Sequence, residues 1–539
     1  MVLKVSNYIN KESYCNKNEW NLLRIIKEWN KIKLNKVKSI NCFSNWKKWV
    51  WNVITKAMKL YYEFEDENFK QAFEIGKYNI LNTKNLKKRR KFLDLMCMRN
   101  KAYNEILLKA VKEWKFDDIL SKKEKHNLRF LLESWILTAF DKARKNIILD
   151  ILENKYKDVK FYDDEFYYGH LQKEIIKWNS TVEVFKILSW KKYFKNLNKF
   201  KQFVFKMKES YLKSYLEWFF NLLEQDKINP KDYLKLEKNE IKSWQKQEKL
   251  TFTVPMENYY LPNFVDLEFS LYLANYLPKE QKNNFVNLSR KYFNDDFGIK
   301  NLTLANVEVI ATWWESTFLK VLWKSFPNDY NLSKQIWKIV YISEDMLKDN
   351  SRITAKLLKK IWFNINLNSY TLINKYIIYF HEIWHSLFLN NKPSNTILEE
   401  LKATLFYYLS LYDKMSQISK DNIENILKYI LWEFAKKISL ENNLDIKQYW
   451  IRENFILAKA IRNNLIVVKD NKIKLNYEFE NFANFLKDLK DSLFKIKEIY
   501  KISDVYKRKK AELDFIGNSF EITKKAKKFI NHKLNNGKN

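Results

Sequence analysis

The run His381-Glu382-Ile383-Trp384-His385 places two imidazoles and a carboxylate within one helical turn. On a helix, residues i and i+4 share a face, so His381 and His385 can hold one Zn²⁺ between them while Glu382 reaches a water on that ion. The chain has only five histidines in 539 residues. A shuffle of this composition would contain the pattern in roughly 0.3% of chains. The chemistry implied is hydrolysis. A cation bound by neutral imidazoles acidifies water and polarises a carbonyl, and a nearby carboxylate can take the proton and return it to the leaving amine. Peptide hydrolysis is the natural reaction class.

Such a centre needs a third protein ligand and the helices to position all three. Tyr376-Ile377-Ile378-Tyr379-Phe380 precedes the motif and Leu387-Phe388-Leu389 follows it, so the first helix is expected to be buried. Asn390-Asn391-Lys392-Pro393-Ser394-Asn395 reads as a turn by composition. Beyond it, Leu398, Leu401, Leu405 and Leu409 recur at helical spacing. A second helix can therefore present Glu399 or Glu400 to the first. Glu400 is the expected ligand and Glu399 the alternate, with the other left as a solvated or supporting carboxylate.

The combination of H-E-x-x-H, a following Glu399-Glu400-x-Lys402-Ala403 helix and the upstream Phe326-Pro327-Asn328-Asp329 resembles the dipeptidyl peptidase III family of zinc exopeptidases. Pro255-Met256-Glu257-Asn258-Tyr259 is similar to that family's Glu-x-Tyr element. The segment Val307 to Met346 is similar to the stretch that carries its Asn-Leu-Pro-Asn-Asp signature. The likeness covers about 251 to 517. It implies that Glu257 meets the free amino terminus of a bound peptide, that Tyr259 donates to the developing oxyanion, and that Asn328 holds the peptide backbone. It implies one zinc ion, two lobes around a cleft with the zinc on helices of the C-terminal lobe, short peptides as substrates, and release of N-terminal dipeptides. A zinc aminopeptidase or oligopeptidase of other specificity is the alternative among enzymes. The chain departs from the family's pattern at several places. The best-known members have an extra residue inside the zinc motif. Ser325 replaces the first Asn of the signature, Thr404 replaces an Asp, and Tyr449 or Trp450 stands where a substrate-binding His is expected.

The chain has 19 Trp and 5 Gly, whereas average usage would put Gly near about 7%. Trp313, Trp314, Trp323, Trp337, Trp384 and Trp450 stand where a small or flexible residue is expected. The hypothesis is that the gene uses UGA for glycine, as some bacterial lineages do. The alternative is a truly Trp-rich chain with aromatic surfaces for packing.

Length allows two or three domains. The segmentation expected is 1–250 as an N-terminal helical region of unknown role, 251–345 as a mixed α/β substrate-binding segment, and 346–539 as the helical zinc lobe. Long Leu/Ile/Phe patterns at helical spacing and few strand candidates predict a mainly α fold with a minor β component. The strand candidates are Thr251 to Val254, Ile339 to Ile342, and Leu465 to Val468 with Ile473 to Leu475. A net charge of +34 invites a nucleic-acid partner, with Lys87-Lys88-Arg89-Arg90-Lys91 as its best local support. An AT-rich gene supplies such lysine excess by default, so peptides remain the expected partners and a non-catalytic, basic nucleic-acid-binding protein the alternative outside enzymes. Cys15, Cys42 and Cys97 match no ligand spacing and are expected to be free thiols. The absence of a signal-like N-terminus or a long apolar run predicts a cytoplasmic protein with no membrane segment. His126, His170 and His532 stand apart from any ligand cluster.

Overall fold

The computed structural model describes residues 36–61, 86–139, 141–142, 145–146, 197–224, 230–253, 269–293, 302–313, 323–326, 338–360, 363–385, 396–438, 447–469 and 472–536. Glu257, Tyr259, Asn328, Trp314, Trp337, Cys15, His170 and the turn expected at 390–395 lie outside the described residues. The fold is mainly helical with a small sheet component, as the helical spacing of apolar residues predicts.

The chain divides into two compact units. The first comprises Met1–Asn275 and Glu308–Lys320, the second Tyr276–Val307 and Val321–Asn539. The described part of the first unit holds helices α1 (Ile40–Tyr61), α2 (Leu86–Lys112), α3 (Lys122–Glu133), α4 (Leu197–Phe205), α5 (Tyr211–Glu224) and α6 (Pro230–Gln245). Strands β1 (Leu250–Thr253) and β2 (Phe269–Tyr276) follow, antiparallel, with Leu250 opposite Leu273. Its core is aromatic: Phe43 stacks on Trp46, and Phe116 meets both.

The second unit begins with α7 (Lys279–Phe293) and contains β4 (Trp323–Phe326) and β5 (Lys338–Ser343). Strand β3 (Leu302–Trp313) starts in this unit, where its Leu302–Val307 run lies parallel to β5, and β4 lies antiparallel on the other side of β5. Strand order in the sheet is β1-β2-β3-β5-β4. All six residues of β5 are buried, the pattern of a strand covered on both faces. Helices α8 (Glu344–Lys360), α9 (Leu367–Trp384), α10 (Glu399–Asp413), α11 (Lys420–Lys437) and α12 (Lys447–Arg462) come next. A hairpin of β6 (Ile466–Lys469) and β7 (Lys472–Leu475) precedes α13 (Phe479–Tyr500), α14 (Val505–Ile516) and α15 (Ser519–Asn536). Strands stand at each of the expected places. Strands β2, β3 and β4 went unpredicted.

Helix α10 is the centre of this unit. Every residue from Leu401 to Leu409 is buried, and α9, α12 and α13 pack around it. A helix buried on all sides is a core element whose ends must find their hydrogen-bond partners within the protein. Glu512 of α14 anchors the segment that leads into it. Its carboxylate accepts from the Thr396 hydroxyl at 2.7 Å and the Ile397 backbone N–H at 3.4 Å, while Thr396 Oγ1 accepts from the Leu398 N–H. Helix α9 starts at Asn366, whose side chain accepts from the N–H groups of Asn368 and Ser369. Such a cap is typically worth ~1 kcal/mol. Trp384 of α9 stacks on Phe406 of α10, ring centroids 3.9 Å apart at 14°, and Tyr379 donates to the Ala305 carbonyl of β3. These contacts fix α9 against α10 and both against the sheet.

The four described tryptophans among those singled out from the sequence do not have a backbone that demands glycine. Trp384 and Trp450 are buried within helices, and Trp313 and Trp323 lie in strands. Among the described non-glycine residues, φ is positive at Trp114, Trp135, Gln247 and Asn464. Two other tryptophans, at positions composition alone did not mark, thus occupy the conformation that favours glycine. No described helix is long and apolar enough to cross a membrane. Cys42 and Cys97 are in no disulfide, and the Cys97 thiol donates to the Asp141 carbonyl at 3.6 Å.

Candidate metal centre

His381 and His385 occupy the last turn of α9, where the His385 backbone N–H still closes onto the His381 carbonyl. Glu399 and Glu400 open α10, at the end where the helix dipole favours negative charge. The two helix ends meet. His381 Nε2 and His385 Nε2 are 3.0 Å apart, Glu400 Oε2 is 3.0 Å from the first, and Glu400 Oε1 is 3.8 Å from the second. Among the described residues, His381, His385 and Glu400 form the one group of three whose ligand atoms converge as a metal ion would require.

The donor set fits a zinc ion. Ligands about 2.0–2.2 Å from a tetrahedral ion lie about 3.4 Å from one another, in the middle of the observed separations. Both Nδ1 atoms are already engaged. His385 Nδ1 is 3.1 Å from Glu399 Oε1, and His381 Nδ1 is 2.9 Å from the Thr404 hydroxyl. A carboxylate only accepts, so His385 carries its proton on Nδ1 and turns a lone pair on Nε2 toward the centre. With the Thr404 oxygen accepting from His381, two nitrogen lone pairs face each other at 3.0 Å. They repel unless a cation or a proton lies between. Glu400 Oε2 is buried and, although near His381, has no well-directed hydrogen bond. A buried carboxylate oxygen in that state calls for a cation.

Glu399 is differently placed. Besides His385, its Oε1 meets Lys402 Nζ at 3.0 Å, and its Oε2 accepts from the Tyr500 hydroxyl at 3.1 Å. Three donors hold this carboxylate beside the Nδ1 side of the ring, away from the converging Nε2 atoms. The structure thus brings Glu400, and not Glu399, to the point where the imidazoles aim. Glu382 is half-buried on the same turn as His381, near enough to favour that ring's charged form.

Behind Glu400 lies a buried cation. Arg452 of α12 is 3.8 Å from Glu400 Oε2 and 3.4 Å from Thr404 Oγ1, and it pairs with Glu453 at 2.5 Å and Glu433 at 3.6 Å. Burial pushes the Glu400 carboxyl upward, yet His385, His381 and Arg452 outweigh it and hold the group down at about 2. Burial, then the neighbouring His385, lowers His381 below its usual range, which favours the neutral ring that a metal requires.

Sequence reasoning did not identify Arg452, Glu433, Lys402 or Tyr500 as parts of the site. A signal existed for two of them: Glu433 sits inside the apolar run Tyr429 to Phe434, and Lys402 inside the leucine stripe of α10. A charge in an apolar helix face needs a buried partner. Thr404 was visible only as a departure from a family pattern, and the structure gives it a task. Thr404→Val keeps the shape and removes the acceptor, so zinc affinity is expected to fall roughly 10–100-fold, the usual effect of losing an outer-sphere partner. Competition with a chromophoric chelator would measure it, and unchanged affinity would deny Thr404 the role.

No family model and no curated protein matches the chain. Among solved structures, the chain is similar to DPP III from Caldithrix abyssi, with a TM-score of 0.49 and 14% identity over 80% of this chain and 92% of that one. It is also similar to dipeptidyl-peptidase III from Corallococcus sp. strain EGB, with a TM-score of 0.40 and 12% identity over 69% of each chain.

Proposed function

We propose that the chain is a zinc-dependent metallopeptidase that hydrolyses short peptides and releases dipeptides from their amino termini. The observation that carries this reading is the convergence of His381 Nε2, His385 Nε2 and the Glu400 carboxylate beside Glu382. His381, His385 and Glu400 would hold the ion, which when bound supplies Lewis acidity toward a scissile carbonyl and an attacking water. Glu382 takes the proton of that water as it attacks and delivers it to the departing amine. Thr404 and Glu399 keep the two imidazoles turned so that Nε2 faces the centre.

The exopeptidase part of the proposal rests on Glu257, Tyr259 and Asn328. Glu257 pairs with the ammonium of the substrate's first residue, Asn328 grips the peptide backbone, and Tyr259 donates to the oxyanion. Paired peptides with free and acetylated amino termini test it. Hydrolysis of the free form is expected to release a dipeptide, and the acetylated form should react at least ~10-fold more slowly, because loss of the ammonium leaves Glu257 unpaired. Equal rates on both, or cleavage at internal bonds, would point instead to an oligopeptidase on the same metal site; release of single residues would make it an aminopeptidase.

A further inference from the structure

Helix α2 ends in a geometry that glycine normally supplies. The Trp114 N–H bonds to the Val111 carbonyl at 3.4 Å and the Lys115 N–H to the Ala110 carbonyl at 3.1 Å, with Trp114 at φ +62. That pair of bonds around a left-handed residue is the Schellman helix end, whose left-handed position is filled mostly by Gly and sometimes by Asn. Helix α3 ends in a related way. Trp135 has φ +60 and its N–H reaches the Leu132 carbonyl, while the Ser134 hydroxyl bridges the Leu131 carbonyl and the Ile136 N–H.

The same arrangement closes α6 at Gln247 and α12 at Asn464. Asn is the usual substitute for Gly there and Gln a poorer one. Trp is among the least suited, since an L residue with a bulky Cβ substituent is strained at positive φ. Drawn at the chain's own Trp frequency, two Trp among four such positions would be a roughly one-in-a-hundred event.

The Trp114 indole itself contributes little at its place. Trp114 is 65% exposed, with Lys125 Nζ 5.0 Å from its ring; Trp135 is half-buried, with the Nζ of the buried Lys101 4.9 Å from its ring. Trp244 shows the opposite behaviour. It is fully buried and its Nε1–H donates to the Phe252 carbonyl at 3.2 Å.

We propose that Trp114 and Trp135 are specified by UGA codons read as glycine, so that the chain made in its own cells carries glycine at both helix ends. This inference stands apart from the metal-site reading, and neither depends on the other. The tryptophan excess in the composition thereby acquires a geometric meaning at two named residues.

Two measurements test it. Reading the codons and the peptide masses of the protein purified from its own cells should give UGA and a glycyl residue at 114 and 135. UGG at both positions, or tryptophan in the peptides, would overturn the proposal. In the full-length Trp form, Trp114→Gly and Trp135→Gly should each lower the unfolding equilibrium constant roughly five- to thirty-fold relative to Trp→Ala at the same site. Alanine also deletes the indole but keeps Cβ, so it isolates the backbone effect. Glycine and alanine variants of equal stability would overturn the geometric argument.

Discussion

Glu382→Gln is expected to lower kcat for peptide hydrolysis by about 10²–10⁴-fold while zinc remains bound at one ion per chain. The amide has the shape of the carboxylate and none of its basicity. Glu382 lies on the turn that carries His381 and His385, but the converging ligand atoms belong to those two residues and to Glu400. Its loss should therefore remove the proton acceptor and leave the ion's grip intact. Steady-state kinetics with metal analysis on the same preparation separates the two effects. Undiminished hydrolysis would remove Glu382 from the chemistry, and loss of zinc would make it a ligand.

The second large effect concerns the two adjacent carboxylates. Glu400→Ala should weaken zinc binding by more than the roughly 10–100-fold that an outer partner is worth, and Glu399→Ala should stay within that range. The asymmetry follows from geometry. Glu400 is the one anion aimed between the Nε2 atoms, whereas Glu399 is held at His385 Nδ1 by Lys402 and Tyr500. Removing Glu400 also leaves Arg452 facing the two imidazoles without the carboxylate that screens it, a second penalty on binding a cation. A reversed order of the two variants in a chelator-competition titration would exchange their roles.

Much of the site is legible from sequence because its parts are local. The i, i+4 histidines define a helix face, and Leu398, Leu401, Leu405 and Leu409, all fully buried, define the helix that answers it. The strand candidates near 251, 339, 466 and 473 likewise come from short apolar or alternating runs. Strand β3 shows the limit. Leu302-Thr303-Leu304-Ala305-Asn306-Val307 has no distinctive period, and its extended form depends on pairing with β5 more than thirty positions away.

The supports of the metal centre are hidden for the same reason. Arg452, Tyr500 and Glu512 reach α10 or the residues just before it from three other helices, at separations of 48, 101 and 116 residues along the chain. No spacing rule connects them to the histidines. The strained helix ends show a different limit. A tryptophan at position 114 is unremarkable until α2 is known to stop at Lys112, because only then does Trp114 become the residue that must turn left-handed.

The central claim is that one divalent cation is shared by α9 and α10 through three named side chains. Zinc-edge X-ray absorption on the full chain loaded with one equivalent of zinc tests it most directly. The account predicts two imidazole nitrogens and a carboxylate oxygen at about 2.0–2.2 Å with no sulfur, and loss of the two-imidazole signature when His381 and His385 are both replaced by Ala. A sulfur-ligated ion, or a spectrum unchanged by that double replacement, would contradict it.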